Sequence, residues 1–160
     1  MSKQVYKSLG MAVEDVTTWM DTRGFPRTHI PAVPREVDQR TATDFAEKLR
    51  SLHEDATSDS AFRCRTAMIL QELAEMFEAI ATDNVVKYAD AVTDLLWVVI
   101  SVGVSTGLPI KELWELVVVA NFQKEIGGVK PDNWVSPNER MLDLLTEKGG
   151  VSCLESTPIQ

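Results

Sequence analysis

The feature that most constrains the fold is a chain-long series of helical repeats, broken at short and well-marked stops. Apolar residues recur at three- and four-residue intervals: Leu9, Val13, Val16 and Met20; Phe45, Leu49 and Leu52; Ile69, Leu73, Met76 and Ile80. That period belongs to helices with one buried face, and few runs alternate as a half-buried strand does. Gly24 closes a helix over 4–22, and Pro26, Pro31 and Pro34 make 23–40 an extended loop. Thr41 to Asp44 open a second helix, which ends at the polar stretch 55–60. Thr82-Asp83-Asn84 separates a helix over 61–82 from a long one over 85–105 that stops at Gly107. Pro109 starts a further helix reaching Lys124, and Gly127-Gly128 ends it. Ser136-Pro137-Asn138-Glu139 has the pattern of a capping box for a last helix over 137–147, followed by Gly149-Gly150. Five or six helices with short connections predict an all-α chain folded as an antiparallel bundle. One domain over 1–150 and a loose tail over 151–160 are expected.

Charge narrows the function classes. Asp+Glu outnumber Lys+Arg by 24 to 16, for a net charge of −8. A surface that negative repels nucleic-acid phosphates and argues against a DNA or RNA binder, although a cation can still carry a phosphate in. Cys64 and Cys153 are too few for a disulfide framework or a multi-cysteine zinc site. His29 and His53 are far apart and form no ligand pair. The start of the chain lacks the apolar core of a signal peptide, and the longest apolar run, Leu95 to Val104, is about half of the ~20 residues that span a bilayer. A cytoplasmic protein with no membrane partner is expected.

The acids around the Thr82-Asp83-Asn84 break carry the sharpest chemical signal. In a close antiparallel hairpin turning there, Glu72 falls level with Asp94 and Glu75 level with Asp90. Helical spacing puts Glu72 and Glu75 on one face, and Asp90 and Asp94 on one face of the partner. Asp94 is set among Ala91, Val92, Leu95, Leu96, Trp97, Val98 and Val99, where an unpaired charge is expensive. Two carboxylates ~5 Å apart repel by roughly 3 kcal/mol at an effective dielectric of 20. Acid pairs at these spacings also occur on solvated faces without function. Four that converge must titrate upward, splay apart or bind a hard cation, and oxygen-only donors select Mg²⁺ or Mn²⁺. Glu78 and Lys87, level in the same hairpin, are expected to form a surface ion pair.

These residues also carry a resemblance. Ile69-Leu70-Gln71-Glu72-Leu73-Ala74-Glu75-Met76 and Ala89-Asp90-Ala91-Val92-Thr93-Asp94-Leu95-Leu96-Trp97-Val98-Val99 resemble the two acidic motifs of the all-α nucleoside triphosphate pyrophosphohydrolase superfamily. That group includes MazG-type enzymes, dimeric dUTPases and phosphoribosyl-ATP pyrophosphohydrolases. Ala120-Asn121-Phe122-Gln123-Lys124, then Lys130-Pro131-Asp132-Asn133-Trp134, resembles the Asn-x-x-Lys stretch of the MazG-like and phosphoribosyl-ATP branch, and phage-encoded, MazZ-like members look most similar. The resemblance covers about residues 63–137. It implies an antiparallel four-helix-bundle core of the MazG type, assembled as a homodimer or homotetramer and cleaving a nucleoside triphosphate between the α- and β-phosphates into a monophosphate and pyrophosphate. It implies Mg²⁺, with Mn²⁺ as a substitute, held by Glu72, Glu75 and Asp94.

Two positions depart from the pattern. Gln71 stands where the first motif often has an acid, and Ala91 stands where the second motif has its first acid, with Asp90 one place earlier. Asp90 is then either a metal ligand or a ribose contact, and Glu75 or Asp90 is the base that aligns the attacking water. A deoxypurine triphosphate, dGTP or dATP, is the expected substrate, since the MazZ group acts on dGTP. A dUTPase-like or phosphoribosyl-ATP specificity is the enzyme alternative, and an inactive helical interaction protein is the alternative of another class.

The remaining site residues are less constrained. Lys124 is expected to contact phosphate, or else only to complement the C-terminal dipole of its helix. Asn121 shares a face with it and suits a sugar or base contact. Lys130 is a second phosphate candidate, and Trp134 suits stacking on a base. Trp19 and Phe25 flank the proline-rich loop, from which they would close over the site of another subunit. Trp97 and Trp114, in apolar helices, are expected in the core.

Overall fold

The structure is a computed structural model that describes residues 3–25, 27–56 and 61–149; the expected tail, 151–160, lies outside them. Among the described residues there are six α-helices, one 3-10 turn and no strand, so the all-α class is as expected. The helices are α1 Lys3–Arg23, α2 Gln39–Ala56, α3 Ala61–Ala81, α4 Val85–Ser105, α5 Ile110–Phe122 and α6 Asn138–Glu147, with the 3-10 turn at Ile126–Gly128. Contacts divide the chain into two compact units: Thr28–Leu108 is one, and the stretches up to Arg27 and from Pro109 onward are the other.

In the Thr28–Leu108 unit α3 is the middle helix, packing against α2 on one side and α4 on the other. Its core is built from small residues. Ala42 and Ala46 of α2, Ala67, Ala74, Ala79 and Ile80 of α3, and Ala91 and Val98 of α4 are buried. Ala67 and Ala74 are one heptad apart, as are Ala91 and Val98, the repeat that keeps two helices in contact along a seam. The expected stripe of α3 is corrected accordingly: Ile80 is buried, but Ile69, Leu73 and Met76 are only half-buried flanks. Phe45 and Phe77 add an aromatic contact between α2 and α3, with centroids 5.1 Å apart. His53 Nδ1–H donates to the Ala67 carbonyl at 2.9 Å, tying the same two helices.

The turns follow local chemistry. Asn84 caps α4 by accepting from the Lys87 N–H at 3.0 Å, and Asp83 takes a left-handed conformation at φ 50° that Asp tolerates better than most residues. At α2 the cap is not Thr41 but Asp38, whose carboxylate accepts from Thr41 N–H at 3.0 Å and Thr41 Oγ1 at 2.7 Å. Those bonds hold the Asp38 carboxyl below its ordinary range. Gly107, at φ 75°, supplies the left-handed step that ends α4.

In the other unit α1 meets α5 and the 3-10 turn, and α5 meets α6. The Phe25 ring lies 3.6 Å from where a Cβ on Gly128 would stand. Gly128, with φ 77°, therefore suits both the turn and the ring packed on it. Before α6, Ser136 Oγ accepts from Asn138 N–H at 3.3 Å, only two residues on, and Pro137 is the N-cap with no side-chain cap bond, so the expected capping box is not formed among the described residues. No single helix among the described residues is long and apolar enough to cross a membrane.

Candidate active site

The α3–α4 hairpin brings the four predicted acids into one electrostatic neighbourhood. Glu72 projects from the middle of α3, is only 7% exposed, and has one carboxylate oxygen, Oε2, with no hydrogen-bond partner among the described residues. Its carboxyl is pushed above the ordinary glutamate value, first by burial and then by the negative charges of Glu75, Asp94 and Asp90, with Arg50 opposing. Asp94 and Asp90 of the second motif thus contribute to the negative field at Glu72. Asp90 and Asp94 are exposed, however, so Asp94 is not the buried member; Glu72 is. Among the described residues no three His, Cys, Asp or Glu side chains stand in ligating positions together, so the acids are grouped rather than chelating.

Glu75 is steadied from two sides. Gln71 Nε2, where a family acid is often found, donates to Glu75 Oε1 at 3.1 Å, and the Arg50 guanidinium lies 3.7 Å from the same oxygen. Arg50 reaches across from α2 and forks onto Glu78 at 2.9 and 3.1 Å. Glu78 therefore pairs with Arg50 rather than with Lys87 as expected. Ala91 is 2% exposed, packed on the inner face of α4, while Asp90 beside it is exposed. Asp90 adds to the negative field at Glu72 without occupying the place of Ala91.

The predicted substrate residues lie in the other unit and gather at the C-terminal end of α5. Lys124 Nζ donates to Asn121 Oδ1 at 2.7 Å, so this pair is joined as its spacing suggested. Trp134 donates its indole N–H to the Ala120 carbonyl at 3.0 Å, and Lys130 Nζ sits over its ring at 4.3 Å from the centroid. Trp19 is used within its own chain: it stacks on Phe25 at 5.0 Å and donates to the Asn121 carbonyl at 2.8 Å. Arg23 donates to the carbonyls of Phe122 and Lys124 and lies over the Phe122 ring. The last carbonyls of a helix have no partner inside it. Here α1 and the loop after α5 supply those partners.

Arg23 and Arg50 are the residues that sequence reasoning missed. Arg23 acts on an element far away in the chain and Arg50 on the next helix, and no spacing within one helix signals either pairing.

The phosphoribosyl-ATP pyrophosphohydrolase family model matches residues 34–121, more than half of the chain. The chain belongs to that family. It is a MazG-like nucleotide pyrophosphohydrolase, a hydrolase of nucleotide phosphoanhydride bonds. The match takes in both acidic motifs and ends at Asn121, leaving α1, Lys124, Lys130 and Trp134 outside it. No curated protein and no solved structure matches the chain.

Proposed function

We propose that this pyrophosphohydrolase is Mg²⁺-dependent and cleaves a deoxynucleoside triphosphate between the α- and β-phosphates, with dGTP the first candidate and dATP the second. The observation that carries the reading is Glu72: a buried carboxylate with an oxygen left unpaired, in the field of three more carboxylates. Native proteins rarely leave such an atom unpaired, and an oxygen-only donor set fits a hard divalent cation. Glu72, Glu75 and Asp94 would hold the ion, with Asp90 beside them. The ion supplies neutralisation of phosphate charge and polarisation of water.

The chain's own groups do the rest. Glu75, fixed by Gln71 and Arg50, or Asp90 on the facing helix, accepts the proton of the attacking water. Lys124 and Lys130 contact phosphate oxygens, Asn121 contacts sugar or base, and Trp134 offers its ring to a base. Positioning and electrostatics account for most of the acceleration, as in phosphoryl transfer generally.

The working form is a homodimer or homotetramer in the cytoplasm, host cytoplasm if the gene is a phage one. The oligomer is supported by the open side of α4, where Val86, Val92, Leu96, Trp97, Val99, Ile100 and Val104 are all exposed. This also corrects the expectation for the tryptophans: Trp97 is 70% exposed and Trp114 39%. A helix buried on one side by α3 still presents a broad apolar back, which a contiguous patch of this kind reserves for a partner.

A second reading is favoured by the family match itself: phosphoribosyl-ATP as substrate. Purified protein incubated with Mg²⁺ and each canonical triphosphate, or with phosphoribosyl-ATP, separates the two. Monophosphate plus pyrophosphate from dGTP supports the lead, and turnover of phosphoribosyl-ATP alone supports the second. Diphosphate plus orthophosphate would show that the wrong bond was assigned.

A further inference from the structure

The end of α5 poses an electrostatic problem. Lys124 follows a helix C-terminus, where unpaired carbonyls carry roughly half a negative charge and repel an anion. A lysine there would ordinarily fold back onto those carbonyls, and a phosphate would find little attraction. In this chain Arg23 of α1 occupies that role. Its guanidinium forks onto the Phe122 and Lys124 carbonyls, and its plane lies 5.8 Å from the centroid of the Phe122 ring. Trp19, one turn earlier on α1, takes the Asn121 carbonyl, and Trp134 takes that of Ala120. The Lys124 ammonium is directed instead to the Asn121 side-chain oxygen, at 2.7 Å. One of its three protons is spent on that bond, and two remain for an acceptor.

We propose that Arg23 is a positioning residue for phosphate binding: it covers the negative end of α5 and so presents the neighbouring Lys124 ammonium to a phosphate group. Arg23 touches no phosphate itself and acts through Lys124. The inference rests on the reading of Lys124 as a phosphate contact. It also explains what α1 is for. The helix lies wholly outside the matched span 34–121, yet its last turn fastens onto the residues that begin where that span ends. A segment outside the matched span thus tunes how this chain holds the polyphosphate of its substrate. The guanidinium matters beyond its charge, because its rigid planar fork holds two carbonyls in a fixed geometry, whereas an ammonium on a flexible stem does not.

Isothermal titration of the full chain with inorganic tripolyphosphate in Mg²⁺ tests this, since that probe carries the charge without a base. Lys124→Ala is expected to weaken binding about tenfold, the loss of one charge-assisted contact. Arg23→Met is expected to weaken it by a similar factor, with Arg23→Lys in between. The double variant Arg23→Met/Lys124→Ala is expected to bind no worse than Lys124→Ala alone, because the two residues act in series. Trp19→Phe, which keeps the ring against Phe25 and removes only the bond to Asn121, is expected to cost about threefold. If Arg23→Met does not fold, Arg23→Lys and Trp19→Phe make the same comparison. Failure of the wild-type chain to bind tripolyphosphate, or unchanged affinity in Lys124→Ala, would overturn both the phosphate reading of Lys124 and this inference. Weakened binding in Lys124→Ala with unchanged affinity in the Arg23 and Trp19 variants, or losses that multiply in the double variant, would overturn this inference alone.

Discussion

Replacing Glu72 by Gln should make the metal-free protein more stable, not less. Glu72 is 7% exposed and its Oε2 has no partner among the described residues. A buried polar atom without a partner costs roughly 1–3 kcal/mol, and more when charged. The nearby charges add to the cost, but Asp90 and Asp94 are exposed and water screens them, so burial dominates. The amide still needs hydrogen bonds, which returns part of the gain; the net is about 1 kcal/mol, or ~2–4 °C in Tm for a chain of this size. The sign also fixes a pH window. Burial and like charge raise the folded-state value above the ordinary 4.5, so the folded chain binds this proton more tightly than the unfolded one. Stability from the protonated form is fully present below the ordinary value and is lost as pH rises through the raised one. The advantage of Glu72→Gln should therefore be full at neutral pH and vanish below about pH 4. Urea melts in EDTA across that range read it directly. A variant destabilised by 1 kcal/mol or more at neutral pH, or a gain that persists under acid, would refute the reasoning: the ionised carboxylate would then be holding the hairpin together.

Other expectations use different handles. Asp94→Asn should abolish nucleotide turnover while moving Tm by no more than about 2 °C, since its side chain is exposed; steady-state kinetics beside a thermal melt check both halves. Asn84→Ala should cost about 1 kcal/mol by removing the cap bond to Lys87 N–H, read as a shifted urea midpoint. Trp97→Glu, on the open side of α4, should shift the protein toward monomer in light scattering, and an unchanged mass would remove that face from the assembly. Arg50→Met should cost at most about 1 kcal/mol of stability, because its bond to Glu78 is partly solvated.

Much of this was legible from one chain because helices announce themselves by period and stops. The α3–α4 turn was readable from Thr82-Asp83-Asn84, and the grouping of Glu72, Glu75, Asp90 and Asp94 followed from counting outward from it. What period cannot convey is how close two helices come. Alanines, which score weakly in any apolar pattern, form the seam, and the larger Ile69, Leu73 and Met76 flank it. For the same reason an apolar helix looks buried all round, while α4, among the described residues, packs on α3 and leaves Trp97 exposed. Asp38 does not stand out as a cap in the sequence because Thr41 and Asp44 have equally good chemistry, and only the backbone decides among them. The bonds of Arg23 and Trp19 join elements distant in the chain and that of Arg50 joins two successive helices, and such pairings leave no trace in the spacing within one helix.

The central claim is that the carboxylates of α3 and α4 hold a divalent cation. Titration of Mn²⁺ followed by electron paramagnetic resonance tests it most directly, on the wild-type chain and on Glu72→Gln. The account predicts saturable binding by the wild type and a loss of about tenfold or more in the variant. Equal Mn²⁺ affinity in the two proteins would contradict it.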